Sequence, residues 1–267
     1  MFNKTKNLFA FLFISLLTFN AAAETAEEKG LAIAVEADKR DQGFGSYTSD
    51  IKMILKNRQG QESIREIRSK TLEVADDGDK SLTIFDKPRD VKGTAFLSFT
   101  HKSGPDDQWL YLPALKRVKR ISSNNKSGPF MGSEFAYEDI TSQEVEKYTY
   151  KFIRDDKLDG KDVLVMERYP VDKKSGYTRQ VVWMDKAEYI ALKIEFFDRK
   201  NSELKTLTFK DYNQYKDKFW RAAEMHMENH QTGKSTTLLQ SNYNFDVELG
   251  DRCLLYTSDA ADDSKRG

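Results

Sequence analysis

"QWLYLPALKRVKRISSNNKSGPFMGSEFAYED", residues 108–139, decides how this chain is read. It opens as an alternating strand in which Trp109 and Tyr111 point to one face and Leu110 and Leu112 to the other. Both faces are apolar, as expected where a strand is covered on one side and lines a cavity on the other. Pro113 cannot donate to a β-ladder and marks an edge or a bulge. Beyond it Lys116, Arg117, Lys119 and Arg120 surround Val118. A long Ser, Asn and Gly-rich segment follows, carrying Phe130, Met131, Phe135 and Tyr137. Large apolar side chains on a polar loop must pack somewhere, and the open end of a curled sheet is the natural place.

Working outward, the rest of the chain supplies that sheet. "YTSDIKMILKN" places Ile51, Met53 and Leu55 at period two, and "GTAFLSFTHK" and "IALKIEFFDR" alternate likewise. Turn signals such as "DDGD", "SGPDD", "KLDGKD" and "HQTGK" separate the strands. The segments amount to about ten to eleven strands. Short links impose antiparallel pairing, because parallel crossovers need a dozen or more residues. Twist prevents so long a sheet from staying flat. The fold expected is therefore mainly β (α+β), a single unclosed antiparallel barrel with an apolar cavity. One helix, within 24–42, precedes the strands; Leu31, Ile33, Ala34 and Val35 provide its apolar surface and "DQGFG" ends it. No repeat or linker divides the chain, so residues 24–252 read as one domain.

The two ends read differently. Lys4 and Lys6, an apolar run from Leu8 to Phe19, and Ala21-Ala22-Ala23 have the order of a secretory signal peptide, residues 1–23. The run is shorter than the roughly 20 residues a membrane-spanning helix needs. A soluble protein exported to the periplasm is expected. At the other end "CLLYTSDAADD", Cys253 to Asp263, abruptly loses the alternation. It resembles a translated transposase adapter of the kind used to prepare DNA libraries, so residues 253–267 read as a non-native tail, with the natural sequence diverging after about Arg252. Cys253 is the single Cys in 267 residues. No disulfide, thiol nucleophile or Cys-ligated metal can then be argued.

Charge excludes further classes. Forty-three basic residues balance 43 acidic ones, so no nucleic-acid partner is expected. His226 and His230 are four apart, but on a strand and turn that spacing does not converge on a metal. No nucleophile elbow, phosphate loop or calcium-loop spacing is present, so neither catalytic residues nor a cofactor is assigned.

The block "WLYLPALKRVKRISSNNKSGPFMGSEFAYED", preceded by "PRDVKGTAFL", resembles the signature of the LolA-like outer-membrane lipoprotein-sorting family. The resemblance implies an unclosed barrel with N-terminal and loop helices plugging its open side. It also implies a monomeric periplasmic carrier that shields acyl chains of a lipoprotein or lipid on the way to the outer membrane. An inner-membrane exporter or an outer-membrane acceptor is then the expected protein partner. Two alternatives use the same architecture: a lipid-sensing regulatory protein, and an accessory subunit of an inner-membrane lipid exporter. Candidate cavity residues are Met53, Leu97, Phe99, Trp109, Tyr111, Phe130, Met131, Phe135, Met184, Met225 and Met227, with Met166 beside them, because apolar and thioether side chains adapt to acyl chains. Lys116, Arg117, Lys119 and Arg120 are candidates for a headgroup or a partner surface. Residues 122–139 are expected to form a mobile gate tipped by Phe130, Met131 and Phe135; a static plug is the competing reading.

Overall fold

The computed structural model describes residues 24–249. The signal-peptide and tail assignments lie outside them. Thr25 starts the helix α1 (Ala26–Asp41) with a capping box, accepting from the Glu28 amide while the Glu28 carboxylate accepts from Thr25. Ile33 and Ala34 are buried beneath the helix. Leu31 and Val35, counted above as core-facing, are about half exposed, at 46% and 47%. At 3.6 residues per turn they fall to either side of the Gly30–Ile33–Ala34 stripe.

Thirteen strands follow: β1 (Ser46–Lys56), β2 (Glu62–Leu72), β3 (Lys80–Lys87), β4 (Ala95–Phe99), β5 (Asp107–Leu112), β6 (Arg117–Arg120), β7 (Tyr148–Leu158), β8 (Lys161–Pro170), β9 (Tyr177–Asp185), β10 (Ala191–Asp198), β11 (Glu203–Tyr215), β12 (Phe219–Asn229) and β13 (Lys234–Phe245). The expected ten to eleven falls short. One reason lies in the opening stretch, where residues 107–121, read from the sequence as one strand, form a hairpin. Pro113 begins a 3-10 turn and Lys116 adopts the left-handed conformation (φ 47°), which folds β6 back onto β5.

All strands join one antiparallel sheet in the order β6-β5-β4-β3-β2-β1-β13-β12-β11-β10-β9-β8-β7. Its two edges, β6 and β7, are neighbours in sequence. The segment between them, residues 121–147, therefore spans the opening of the half-barrel. The helices implied for this loop are three 3-10 turns, at Phe130–Gly132, Tyr137–Asp139 and Val145–Lys147.

The main core lies on the concave face, where Met53, Ile67, Phe85, Phe96, Leu110, Ile194, Leu207 and Leu238 meet Ile33 of α1 and Phe130 and Phe135 of the loop. A second cluster, Leu82, Ile84, Ala95 and Leu97 with Phe99, Trp109 and Tyr111 against it, lies on the opposite face of β3–β5.

The helix reaches the edge strand β7 at Gly30. A Cβ there would stand 2.8 Å from the backbone nitrogens of both Lys151 and Phe152. Gly30→Ala gains helix propensity worth up to about 1 kcal/mol, whereas overpacking against backbone costs about 1–3 kcal/mol. Net destabilisation is expected for Gly30→Ala, and more for Gly30→Val, read as a lower urea midpoint. A stabilised Gly30→Val would disprove the close approach.

Candidate functional site

Strand register sets a polarity gradient along the concave face. On β1–β3 the inward residues run from Met53, Ile51, Ile67 and Phe85 at one end to Ser49, Ser69, Thr71, Ser81 and Thr83 at the other. Between this face and the loop lies a cavity of about 400 Å³, lined also by Phe130, Phe135, Ile194, Phe196, Leu207, Phe209, Met225 and Leu238. A second cavity, about 570 Å³, adjoins its hydroxyl end beside α1. Phe44, Asp79 and Arg168 are among the residues lining both.

Of the residues singled out in the sequence, Met53, Phe130, Phe135 and Met225 line the inner cavity. Met166 and Met184 line the outer one. Met227 is fully buried in the core. Met131 is partly buried, in the left-handed region (φ 51°), and its carbonyl accepts from the Arg65 guanidinium. Leu97, Phe99, Trp109 and Tyr111 do not line the cavity. They pack in the second cluster, while Phe96 and Leu110, one position along each strand, face inward. Apolar side chains alternate onto both faces here, so period two cannot tell them apart. What selects the inner face is the ring of Phe130, packed 5.3 Å from Phe96 and 5.8 Å from Phe85. Lys116, Arg117, Lys119 and Arg120 are exposed on or beside β6, and none lines either cavity. The Arg120 guanidinium pairs with Asp107.

Residues 122–139 plug the opening of the half-barrel. A tight hairpin brings the Phe130 amide 2.7 Å from the Phe135 carbonyl, and burial leaves 2% and 0% of these two side chains exposed. Lys205 of β11 donates to the Asp139 carboxylate at 2.6 Å and to the Glu134 carbonyl at 2.8 Å. The ammonium and carboxylate side chains are 4% and 3% exposed. Asp139 also accepts from the Tyr177 hydroxyl at 2.8 Å and from the Ala136 amide at 2.6 Å. Burial, followed by the neighbouring Asp139 charge, pushes the Tyr177 phenol well above its ordinary range. Thr236 of β13 accepts from the Glu134 amide, and Asn229 of β12 donates to its carboxylate. With Arg65 of β2 on the Met131 carbonyl, the plug is tied to both wings of the sheet.

The outer cavity is acidic, and sequence inspection missed it because its carboxylates come from separate turns. Burial raises the Asp79 carboxyl to about 6. Burial, then the nearby Asp79, raises Glu144 to about 7. Asp79 accepts from the Ser142 hydroxyl at 2.9 Å, and Glu144 from Thr100 at 3.2 Å. His226 and His230 each contact a threonine, Thr237 and Thr206 respectively, and no metal-holding group occurs among the described residues.

A family model described as "-like: Uncharacterized protein" matches residues 77–257. A putative outer membrane lipoprotein-sorting protein domain from Vibrio parahaemolyticus is 60% identical, with a TM-score of 0.85, over 87% of this chain and 98% of that one. A DUF1329 family protein from Desulfovibrio piger is 30% identical, with a TM-score of 0.82, over 88% and 99%. A LolA superfamily protein from Nitrosomonas europaea shares the fold at 19% identity, with a TM-score of 0.68, over 84% and 96%. No curated protein matches the sequence. The chain belongs to the LolA-like outer-membrane lipoprotein-sorting family.

Two outcomes follow from the buried groups. Lys205→Met strands the Asp139 charge and should cost about 3–5 kcal/mol, most of it recovered when Asp139→Leu is added; urea unfolding of the single and double variants measures both. A carboxyl raised by folding binds its proton more tightly in the native state, so its contribution is complete below the ordinary carboxylate range and lost as pH rises through the folded value. Stability should therefore fall between about pH 4.5 and 7, and Glu144→Gln should flatten that fall in thermal melts.

Proposed function

We propose that the protein is a periplasmic carrier that shields the acyl chains of a lipoprotein or lipid on the way to the outer membrane. The observation that supports this most directly is the inner cavity: about 400 Å³, with Ile51, Met53, Ile67 and Phe130 among its lining, between a curled sheet and the plug. Ligand sites for small molecules fall within about 300–1,000 Å³. Met53 and Met225 give the wall a deformable surface suited to chains of varying length. The lipoprotein-sorting name of the 60% identical relative points the same way. Under this reading the protein binds and releases cargo without chemistry on it.

β6 supports a secondary role in partner contact. It is an exposed edge strand, with Leu115 64% and Val118 52% exposed amid Lys116, Arg117, Lys119 and Arg120. Basic and apolar groups on an unpaired edge suit an acidic segment of an exporter or an acceptor.

An apolar dye should fluoresce in the purified protein and be displaced by phospholipid or a lipopeptide. Met225→Trp fills the cavity and should weaken both dye and lipid binding at least about tenfold. Mass spectrometry of organic extracts should then find co-purified lipid in the unsubstituted protein and little in the variant. Absence of dye binding and of extractable lipid from both proteins would rule out the carrier.

A further inference from the structure

Arg168 stands at the step between the two cavities and lines both. Its Nε donates to Gln180 Oε1 at 2.6 Å, and its guanidinium lies 4.6 Å from the Tyr148 ring centre. Gln180 is 2% exposed, so the guanidinium is steered from a fixed base. No carboxylate pairs with it among the described residues. Arg221, the other arginine on the inner cavity, is by contrast neutralised by Asp41 at 2.5 Å. A guanidinium presents five donors, and the terminal ones here have no partner among the described residues. Planar forks of this kind hold carboxylate or phosphate oxygens.

The acids around it carry the opposite sign: Asp79 lines both cavities beside Arg168, and Asp38, Glu73 and Glu144 line the outer one alone. Among the described residues none of the four is in an ion pair. Their partners are neutral donors: Gln42 for Asp38, the Gly43 and Gly45 amides for Glu73, Ser142 for Asp79 and Thr100 for Glu144. Asp77 is held by His101 at 2.6 Å, and Lys102 is the one lysine on that wall. A wholly anionic head reaching Arg168 would thus sit beside unpaired carboxylates. A wholly cationic head would face the guanidinium.

We infer that the cargo head is zwitterionic, with an oxyanion next to the chains on Arg168 and an amine beyond it toward the outer carboxylates. From the apolar wall of the inner cavity to the outer one, apolar side chains, the Arg168 guanidinium and the carboxylates around and beyond it match acyl chain, phosphate or carboxylate, and ammonium. The inference rests on the carrier reading and narrows it. It also moves the head from Lys116, Arg117, Lys119 and Arg120, which lie off the cavities, to a residue with no motif around it.

The test compares short-chain, monomeric lipids of identical chains in displacing a bound apolar dye at about pH 8, above the raised values of Asp79 and Glu144, so that both are ionised. Phosphatidylethanolamine should bind about tenfold more tightly than either phosphatidylglycerol or diacylglycerol, the gain a charge-assisted pair provides. A zwitterionic N-acyl amino acid, with a carboxylate and an added amine, separates carboxylate from phosphate as the oxyanion. In Arg168→Gln the ratio of phosphatidylethanolamine to diacylglycerol affinity should collapse toward one, with Arg168→Lys intermediate. In Glu144→Gln the preference over phosphatidylglycerol should shrink. Equal affinity for every head in the unsubstituted protein would overturn the inference while leaving the carrier intact; failure of diacylglycerol itself to bind would instead remove the carrier. Because the head series is measured on the unsubstituted protein, its outcome does not depend on any variant folding.

Discussion

One ion pair hidden from water, Lys205 with Asp139, decides whether this sheet has an inside. A half-barrel whose edges never meet leaves its concave face wet unless something fills the gap, and the filling here is the chain between those edges. Its backbone carries polar groups that cannot be buried unpaired. Lys205, Tyr177 and the Ala136 amide satisfy the Asp139 oxygens, and the same ammonium takes the Glu134 carbonyl. Burying two charges adds little stability compared with a well-packed apolar pair. What it confers is position, since an ammonium in apolar surroundings has one acceptable partner and the plug therefore one acceptable register. Phe130 and Phe135 are then delivered to the same depth in every molecule.

Much of this was legible in the sequence, for a physical reason. Period-two alternation and turns at Gly and Asp are local signals, so strands, antiparallel pairing and curling could be read before any contact was known. The placing of the loop's apolar tips was legible as well, because large apolar tips on a polar loop have to be buried. Its attachment was not. Lys205 and Asp139 are 66 positions apart, and neither has neighbours that mark it as buried. The same limit moved Leu97, Phe99, Trp109 and Tyr111 to the wrong face. A strand apolar on both sides reports that it is covered twice, and only the packing partner, here Phe130, reveals which side holds the cavity. Arg168 and the outer carboxylates were invisible for a third reason: a site assembled from single residues on different strands and turns leaves no motif in any of them.

The polarity gradient unites fold and proposed function. Moving along β1 from Met53 to Ser49, or along β2 from Ile67 to Thr71, the inward side chains pass from hydrocarbon to hydroxyl, and the acidic outer cavity begins where the hydroxyls end. Sheet register turns this sequence trend into a spatial one, because equivalent positions on adjacent strands lie side by side. An amphiphile entering such a gradient has one favourable orientation, chains inward, independent of any single contact.

The pairing of β1 with β13 has a kinetic meaning. Tyr47 meets Phe245 in that seam, joining opposite ends of the described chain at the middle of the sheet. Strands β1–β6 and β7–β13 can each assemble by zipping neighbour to neighbour, since every pairing within them is a hairpin. The two halves become one sheet when the last strand closes the longest loop in the molecule, and closing a long loop is the entropically expensive step of a β-rich chain. Until then each half presents an unpaired edge and an aromatic face with no cover. The concave face is consequently continuous only once that seam has formed, because each half carries only part of it.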